Sequence, residues 1–198
     1  MGGVFEQTVM ALTTLPARFY CSAGMFAEEL ARIHRRAWHP LCHVSELPEP
    51  GSTYALDLLG RRVFAVRGEG GAIGVFHNVC RNRAHAVVPQ GRSRCARAIV
   101  CPYHAWSYGF DGRLKAVASP GALPDADLAA LGLWPVPHEL FMGFVFFRLE
   151  GEGPGVAERL AAAAGDLEAY RIADMVPESK TYARTVAADW KAVWDNYL

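Results

Sequence analysis

The sequence predicts an α+β chain: a small antiparallel β domain with flanking helices. Three observations carry that prediction. Short apolar segments, punctuated by glycine, proline and aspartate turns, recur from about residue 41 to 150. An apolar stripe at helical spacing precedes them. An alanine-rich stretch and a second helical stripe follow.

Taken in chain order, residues 1–40 form an N-terminal helical segment. Between Ala23 and Ala37 the chain reads AGMFAEELARIHRRA, which sets Phe26, Leu30 and Ile33 on one helix face. STYALDLLGRRVFAVRG then gives two strands hinged near Gly60, and the EGG at 69–71 turns the chain into the strand AIGVFHNV. RCARAIVCP and WSYGFDGRLKAV continue the β pattern, with Asp111-Gly112 as a tight hairpin turn. LFMGFVFFRL reads as one last, strongly apolar strand. GEGPG at 151–155 is a linker, VAERLAAAAGDLEAY is helical in propensity, and SKTYARTVAAD alternates like a strand. In WKAVWDNYL, Trp190, Val193, Trp194 and Tyr197 fall at i, i+3, i+4 and i+7, the stripe of a helix facing a core. No helix-ending residue precedes Leu198, so the chain reads as an incomplete piece.

Composition narrows the function classes. Of 198 residues 52% are hydrophobic and 20% charged, which suits a packed core rather than a disordered tail. Twenty basic residues balance twenty acidic ones, so there is no electrostatic footprint for nucleic acid. The run Leu140 to Phe147 is too short to span a bilayer. Glu6 stands where a myristoylation signal needs Ser or Thr, and no basic segment leads the N-terminus as a secretory signal requires. Five cysteines (Cys21, Cys42, Cys80, Cys95 and Cys101) are an odd, sparse set that fits a reducing compartment. The expected location is cytoplasmic.

The chemistry gathers in NVCRNRAHAVV (residues 78–88) and CPYHAW (residues 101–106). Cys80, Cys101 and His104 form C-x20-C-x2-H on two loops of the β domain. Thiolates favour zinc or iron–sulfur, and a mixed Cys and His set allows either. Pro102, Tyr103 and Trp106 exclude water around the second loop and fix its amides. His85, five residues after Cys80, reaches the site only if the first loop is rebuilt, and it completes an alternative zinc set of Cys80, His85, Cys101 and His104. His77 ends a strand and Cys95 belongs to the strand leading into Cys101, so both read as packed residues. Arg81, Arg83, Arg92, Arg94 and Arg97 make a basic flank that either attracts an acidic electron donor or is a plain solvated surface.

These pieces resemble the α subunits of Rieske non-haem iron oxygenases, the aromatic-ring-hydroxylating and quaternary-ammonium oxygenase family. The resemblance rests on FHNVCRNRAH, CPYHAWSYGFDGRL, WHPLCHVSELPEPGSTYALDLLGRRVFAVRG and ADWKAVWDNYL, and it covers nearly the whole chain. It implies a Rieske [2Fe-2S] domain over 41–150 and the start of an incomplete catalytic domain over 151–198. In the family two cysteines hold one iron and two histidines the other. By position Cys80 and Cys101 take the first iron, and His104 the second. The family pattern has histidine where this chain has Asn82. An amide oxygen is a far weaker donor to iron than an imidazole nitrogen.

The resemblance further implies a ferredoxin or flavin reductase as electron donor, and a mononuclear Fe(II) centre that activates O2. It places WDNYL on the helix leading to that iron, with Asn196 near it, and the iron's ligands after Leu198. Trp190 and Trp194 are core residues of this helix. A full-length form is expected to assemble as a homotrimer, for mono- or dioxygenation. No catalytic residue is expected within 1–198. Three readings follow: an electron-transfer domain, a degenerate cluster-free β domain, and a zinc-stabilised binding module. Exposed apolar helix faces are expected to limit solubility.

Overall fold

The computed structural model describes residues 15–118, 127–178 and 183–197. The N-terminal Met1–Gly2 pair, Glu6, Leu198 and the start of the alternating SKTYARTVAAD segment lie outside them; residues 183–186 of that segment form no strand.

Among the described residues ten strands make three antiparallel sheets. β1 (Trp38–His43), β10 (Phe144–Arg148) and β9 (His138–Phe141) form the first, in that order. The second runs β4 (Ile73–His77), β3 (Arg61–Arg67), β2 (Ser52–Leu58) and β5 (Gly91–Arg94). The third is β6 (Ile99–Val100), β7 (Ser107–Tyr108) and β8 (Leu114–Ala116). β3 carries the architecture. Its VFAV run is fully buried because alternate side chains enter different cores. Val63 and Ala65 pack with Val75, Val145 and Phe147, while Phe64 and Val66 pack with Phe76, Tyr108 and both loop cysteines. The second core is therefore the floor of the two loops.

The Gly60 hinge and the Asp111-Gly112 turn form as the sequence predicts. Gly112 has φ of 80° and its N–H donates to Gly109 O, while Asp111 Oδ1 accepts from Arg113 N. LFMGFVFFRL is not one strand. Met142 and Gly143 adopt φ of 47° and 81°, and Phe141 pairs directly with Phe144. A two-residue loop with positive φ at both central positions matches the twist of the flanking strands, so the run folds into a hairpin. β1, not foreseen as a strand, pairs with β10 through a register shift between Pro40 and Cys42. Cys95 sits just beyond β5, where its N–H donates to Gly51 O, rather than in the strand that leads into Cys101.

The helices pack differently from their apolar stripes. α1 (Arg18–Cys21) precedes α2 (Ala23–Arg32), which is capped by Ser22 Oγ accepting from Met25 N and gives way to a 3-10 turn over His34–Arg36. Phe26 and Ile33 remain exposed; the buried residue of α2 is Glu29. α3 (Val156–Arg159) and α4 (Ala164–Ala169) divide the alanine-rich stretch. In α5 (Trp190–Asp195), Lys191 is buried, and Val193, Trp194 and Tyr197 face out. Polar contacts set this orientation. Lys191 Nζ donates to both Glu29 carboxylate oxygens at 2.7 Å and contacts Asp189 Oδ1 at 2.8 Å, while Trp190 Nε1 donates to Glu29 Oε2. Tyr20 O–H closes the junction on Asp195 Oδ2. Among the described residues no helix is long and apolar enough to cross a membrane.

This junction makes a testable pH window. Hydrogen bonds from Lys191 hold the Glu29 and Asp189 carboxyls below their ordinary range. Burial opposes the Lys191 charge, but hydrogen bonds to Asp189 and Glu29 outweigh it and raise the ammonium. Depressed carboxyls contribute stability above their unfolded range and lose it as pH falls through the folded one; the raised ammonium loses its contribution as pH rises through its folded value. Docking of α2 on α5 is thus expected to persist through neutral pH and below the ordinary carboxylate range, failing in stronger acid and above the lysine range. Lys191→Met should abolish docking at neutral pH. Hydrogen exchange of the α2 amides checks both, with unchanged protection in Lys191→Met contradicting the account.

Candidate metal centre

Two loops lie side by side above the Phe64–Tyr108 core. The first links β4 to β5 and the second links β6 to β7. Their backbones are alike. In the first, Cys80 N–H donates to His85 O at 2.8 Å, Ala84 N–H returns to Cys80 O at 2.9 Å, and Ala84 has φ of 55°. In the second, Cys101 N–H donates to Trp106 O at 2.8 Å, Ala105 N–H returns to Cys101 O at 3.0 Å, and Ala105 has φ of 54°. Each loop places its cysteine at the base and a polar side chain at the tip. Positive φ at a residue with a Cβ costs energy, and the paired hydrogen bonds hold both alanines there.

The base is sealed. Cys80 and Cys101 are each 2% exposed, and Trp106 is buried beneath them in the shared core. Tyr108 oxygen accepts from Arg81 N at 3.0 Å, which leaves its O–H to meet Cys80 Sγ at 3.3 Å. Burial, with the Cys80 contact, raises the Tyr108 phenol well above its ordinary value. Burial also raises the Cys101 thiol, opposed by the backbone N–H groups of Tyr103 and His104.

The tip is open. Asn82 and Tyr103 are exposed and His104 is half-buried. Asn82 Nδ2 lies 3.1 Å from His104 Nδ1, so the amide donates and the Nδ1 lone pair faces the space between the loops. The Tyr103 ring sits 3.8 Å from that of His104 and 5.6 Å from that of His85. A cavity of 750 Å³ runs along the second loop, lined by Asn82, Arg83, Tyr103 and His104 at the tip and by Cys101 and Trp106 at the base.

Cys80, Cys101, His104 and Asn82 are thus gathered by one loop pair, thiols at one end and imidazole with amide at the other. Among the described residues no three Cys, His, Asp or Glu side chains converge as the ligands of one metal ion would. That speaks against the tetrahedral zinc set, which needs four ligands around one point. His85 is tied through Nδ1 to the Ala86 carbonyl of its own loop. His77 closes β4 half-buried, with its imidazole lowered by burial and the Arg61 charge. Cys95 is raised by burial at the margin of the core. The basic flank is largely committed elsewhere. Arg81 donates to Ala130 O and Gly132 O and lies 4.1 Å over the Trp134 ring. Arg92 pairs with Glu46 and Arg94 with Glu49 at the surface, and Arg83 and Arg97 are exposed as well.

One contributor carried no signal as a motif residue. Asn78, 3% exposed, accepts from Val87 N and Val88 N and donates to Val88 O, stapling both ends of the first loop. Asn78→Ala strands those buried backbone groups and is expected to cost about 2 kcal/mol. Denaturant unfolding would measure it, and a change below about 0.5 kcal/mol would mean the loop closes without the staple.

Residues 37–127 match the Rieske [2Fe-2S] domain family. The chain is 32% identical over 187 residues to the carnitine monooxygenase oxygenase subunit of Escherichia coli K12, an alignment covering 93% of this chain and 50% of that protein. It is 34% identical over 183 residues to the glycine betaine monooxygenase oxygenase subunit of Chromohalobacter salexigens, covering 92% and 40%. Among solved structures it superimposes with TM-score 0.85 and 29% identity on a quaternary ammonium Rieske monooxygenase studied for carnitine oxidation and inter-subunit electron transfer, covering 93% of this chain and 50% of that one. The chain spans about half the length of the relatives it matches.

Proposed function

This chain carries a Rieske [2Fe-2S] domain of the quaternary-ammonium Rieske oxygenase family, and on that premise we propose that it is the electron-relay portion of such an oxygenase. The observation that carries the reading is the matched loop pair, which sets two buried thiols at one end and the His104 Nδ1 lone pair at the other. Thiolates and imidazole suit a [2Fe-2S] group divided between a cysteine end and a histidine end. The residues present fit it at three positions: Cys80, Cys101 and His104. Asn82 supplies only an amide at the fourth, so loading is weakened there.

When bound, the cluster supplies one-electron storage. The chain's own residues shape the setting. Tyr108 O–H and the amides of Tyr103 and His104 aim positive dipoles at the cysteine sulfurs, a polarity that favours thiolate and raises reduction potential. Packing with Trp106, Tyr108 and Val87 in one core leaves each thiol only 2% exposed. The half-buried His104, flanked by the exposed Asn82 and Tyr103, makes the tip the side on which electrons enter and leave. The donor is a reductase or ferredoxin, and the acceptor is a mononuclear iron in the full-length oxygenase, within a ring of subunits. The proposed relay is the β domain over 41–150, whose edge strand β1 reaches back to Trp38; α1 and α2 lead into it, and 151–198 is the proposed start of the catalytic domain. A quaternary ammonium compound is the substrate class of the whole protein.

The second reading, a cluster-free β domain that keeps the fold alone, is favoured by one observation, Asn82. Purified full chain separates the two. Iron and acid-labile sulfide in equal amounts, with a rhombic electron paramagnetic resonance signal after reduction, are expected, and Cys101→Ser should lose both. Colourless protein that takes up neither iron nor sulfide on anaerobic loading would establish the cluster-free reading.

A further inference from the structure

We propose that Cys80 and Cys101, in the metal-free chain, are a two-electron redox site at which hydrogen peroxide joins them in a reversible disulfide. The inference goes beyond the relay reading and does not depend on it. It concerns the chain's own thiols, at a loop pair whose ligand set Asn82 leaves incomplete.

Three observations lead to it. The first is juxtaposition. The two loops share one backbone geometry, each with its cysteine at the base, and their tips meet at the 3.1 Å contact of Asn82 with His104. At the base both cysteines pack in one core, and the Cys101 thiol is in hydrogen-bond contact with that of Cys80. A disulfide needs two side chains that face each other across a short span, about 3.5–4.5 Å between Cβ atoms. Touching thiols on facing loops suit that demand. Cys21 is exposed on α1 and Cys42 packs in the other core, so neither competes.

The second observation is access. Cys101 is 2% exposed, yet the 750 Å³ cavity reaches it and Trp106 at its base. So narrow an opening to the sulfur admits a molecule little larger than water and excludes a bulky disulfide, which selects peroxide as the oxidant. The third is the lack of another use for the pair in the chain itself. Among the described residues no third Cys, His, Asp or Glu side chain joins the two thiols as ligands of a single metal ion would.

The reaction runs in two displacements. The Cys101 sulfur, which lines the cavity, attacks one peroxide oxygen; an S–O bond forms, the O–O bond breaks, and the departing hydroxide leaves as water with the thiol proton. The Cys80 sulfur, held at the base by Tyr108 O–H at 3.3 Å, then attacks the Cys101 sulfur. The S–S bond forms, the S–O bond breaks, and a second water carries off the Cys80 proton. Two thiols lose two electrons and two protons, and peroxide gains both. A neighbouring thiol thus keeps Cys101 from the irreversible sulfinic stage. The bond takes up both thiols that the relay reading assigns to iron, so one chain holds the cross-link or a cluster and never both.

The test uses the full chain, freed of metal by chelator, with Cys21→Ser to remove the exposed thiol of α1. Of the five free cysteines four then remain. One equivalent of hydrogen peroxide per chain is expected to lower the thiols titrated in denaturant from four to two, and dithiothreitol to restore four. Peptide mapping should join residue 80 to residue 101. Oxidised glutathione should leave all four. Adding Cys101→Ser leaves three thiols, which peroxide should not cross-link. A wild-type pair that stays reduced, a cross-link to Cys42 or Cys95 instead, or Cys101 oxidised to sulfinic acid beside a free Cys80 each overturns the proposal. Oxidation by glutathione disulfide as fast as by peroxide overturns it as well, because the pair is then open to bulky oxidants.

Discussion

Asn82→His is expected to raise the cluster retained by this chain at least about 10-fold under chelator challenge, by comparison with the 10–100-fold effects of removing mere outer-shell partners. The reasoning is local. Position 82 lies on an exposed loop tip, so a larger side chain displaces no core. Its present amide already reaches within 3.1 Å of His104 Nδ1, so a side chain at this position addresses the space that His104 addresses. Exchanging an amide for an imidazole replaces a weak oxygen donor by a borderline nitrogen donor well matched to iron. The backbone that must receive it is in place, since the Cys80–Ala84 and Cys80–His85 hydrogen bonds already match those of the second loop. Iron and sulfide analysis, with the spectrum of the reduced protein, reads the result. If Asn82→His stays iron-free while Cys80 and Cys101 remain titratable as free thiols, position 82 is not the fault.

Gly51→Ala is expected to be the most damaging single methyl addition in the β domain, costing about 4 kcal/mol from overpacking and from strain at positive φ together. Gly51 has φ of 82°, and its N–H and C=O tie Arg67 O and Cys95 N into one junction. A Cβ there overlaps the Cys95 carbonyl oxygen and comes within 2.9 Å of the Phe110 ring. A backbone atom cannot swing aside as a side-chain tip can, so β2 and the chain after β5 must separate. At roughly 2–4 °C per kcal/mol for a chain of this size, the melting temperature should fall by about 8–16 °C. A loss under about 3 °C would show that the junction yields cheaply.

What could be read from the sequence was what is local. The VFAV run, the Gly60 hinge, the Asp111-Gly112 turn and the cysteine loops are each specified within a dozen residues, by alternation or by turn chemistry. The Met142-Gly143 hairpin was missed because Met142 takes a positive φ that its side chain does not advertise. The same applies to Ala84 and Ala105, so the likeness of the two loops is invisible in their letters. The faces of α2 and α5 were assigned from apolar spacing, which cannot anticipate that Glu29 and Lys191 prefer each other to solvent. Within the site, Cys80, Cys101, His104 and Asn82 stood out as a motif, whereas Asn78 and Tyr108 act through hydrogen bonds to partners 10 and 28 residues away. Such partners are named only by the fold. The partners of the basic flank were equally hidden in the letters, since Arg81 donates to Ala130 O and Gly132 O while the exposed Arg92 and Arg94 pair with Glu46 and Glu49.

The Glu29–Lys191 pair joins residues 162 positions apart. A ribosome adding about 5–20 residues per second needs roughly 8–32 s to traverse that interval. Throughout it α2, too short to be stable as an isolated helix, has no partner for its carboxylate, and by its end every strand of the three sheets has been made. The β domain is therefore complete before the N-terminal helix is captured, and α2 is the segment most available to chaperones and proteases during synthesis.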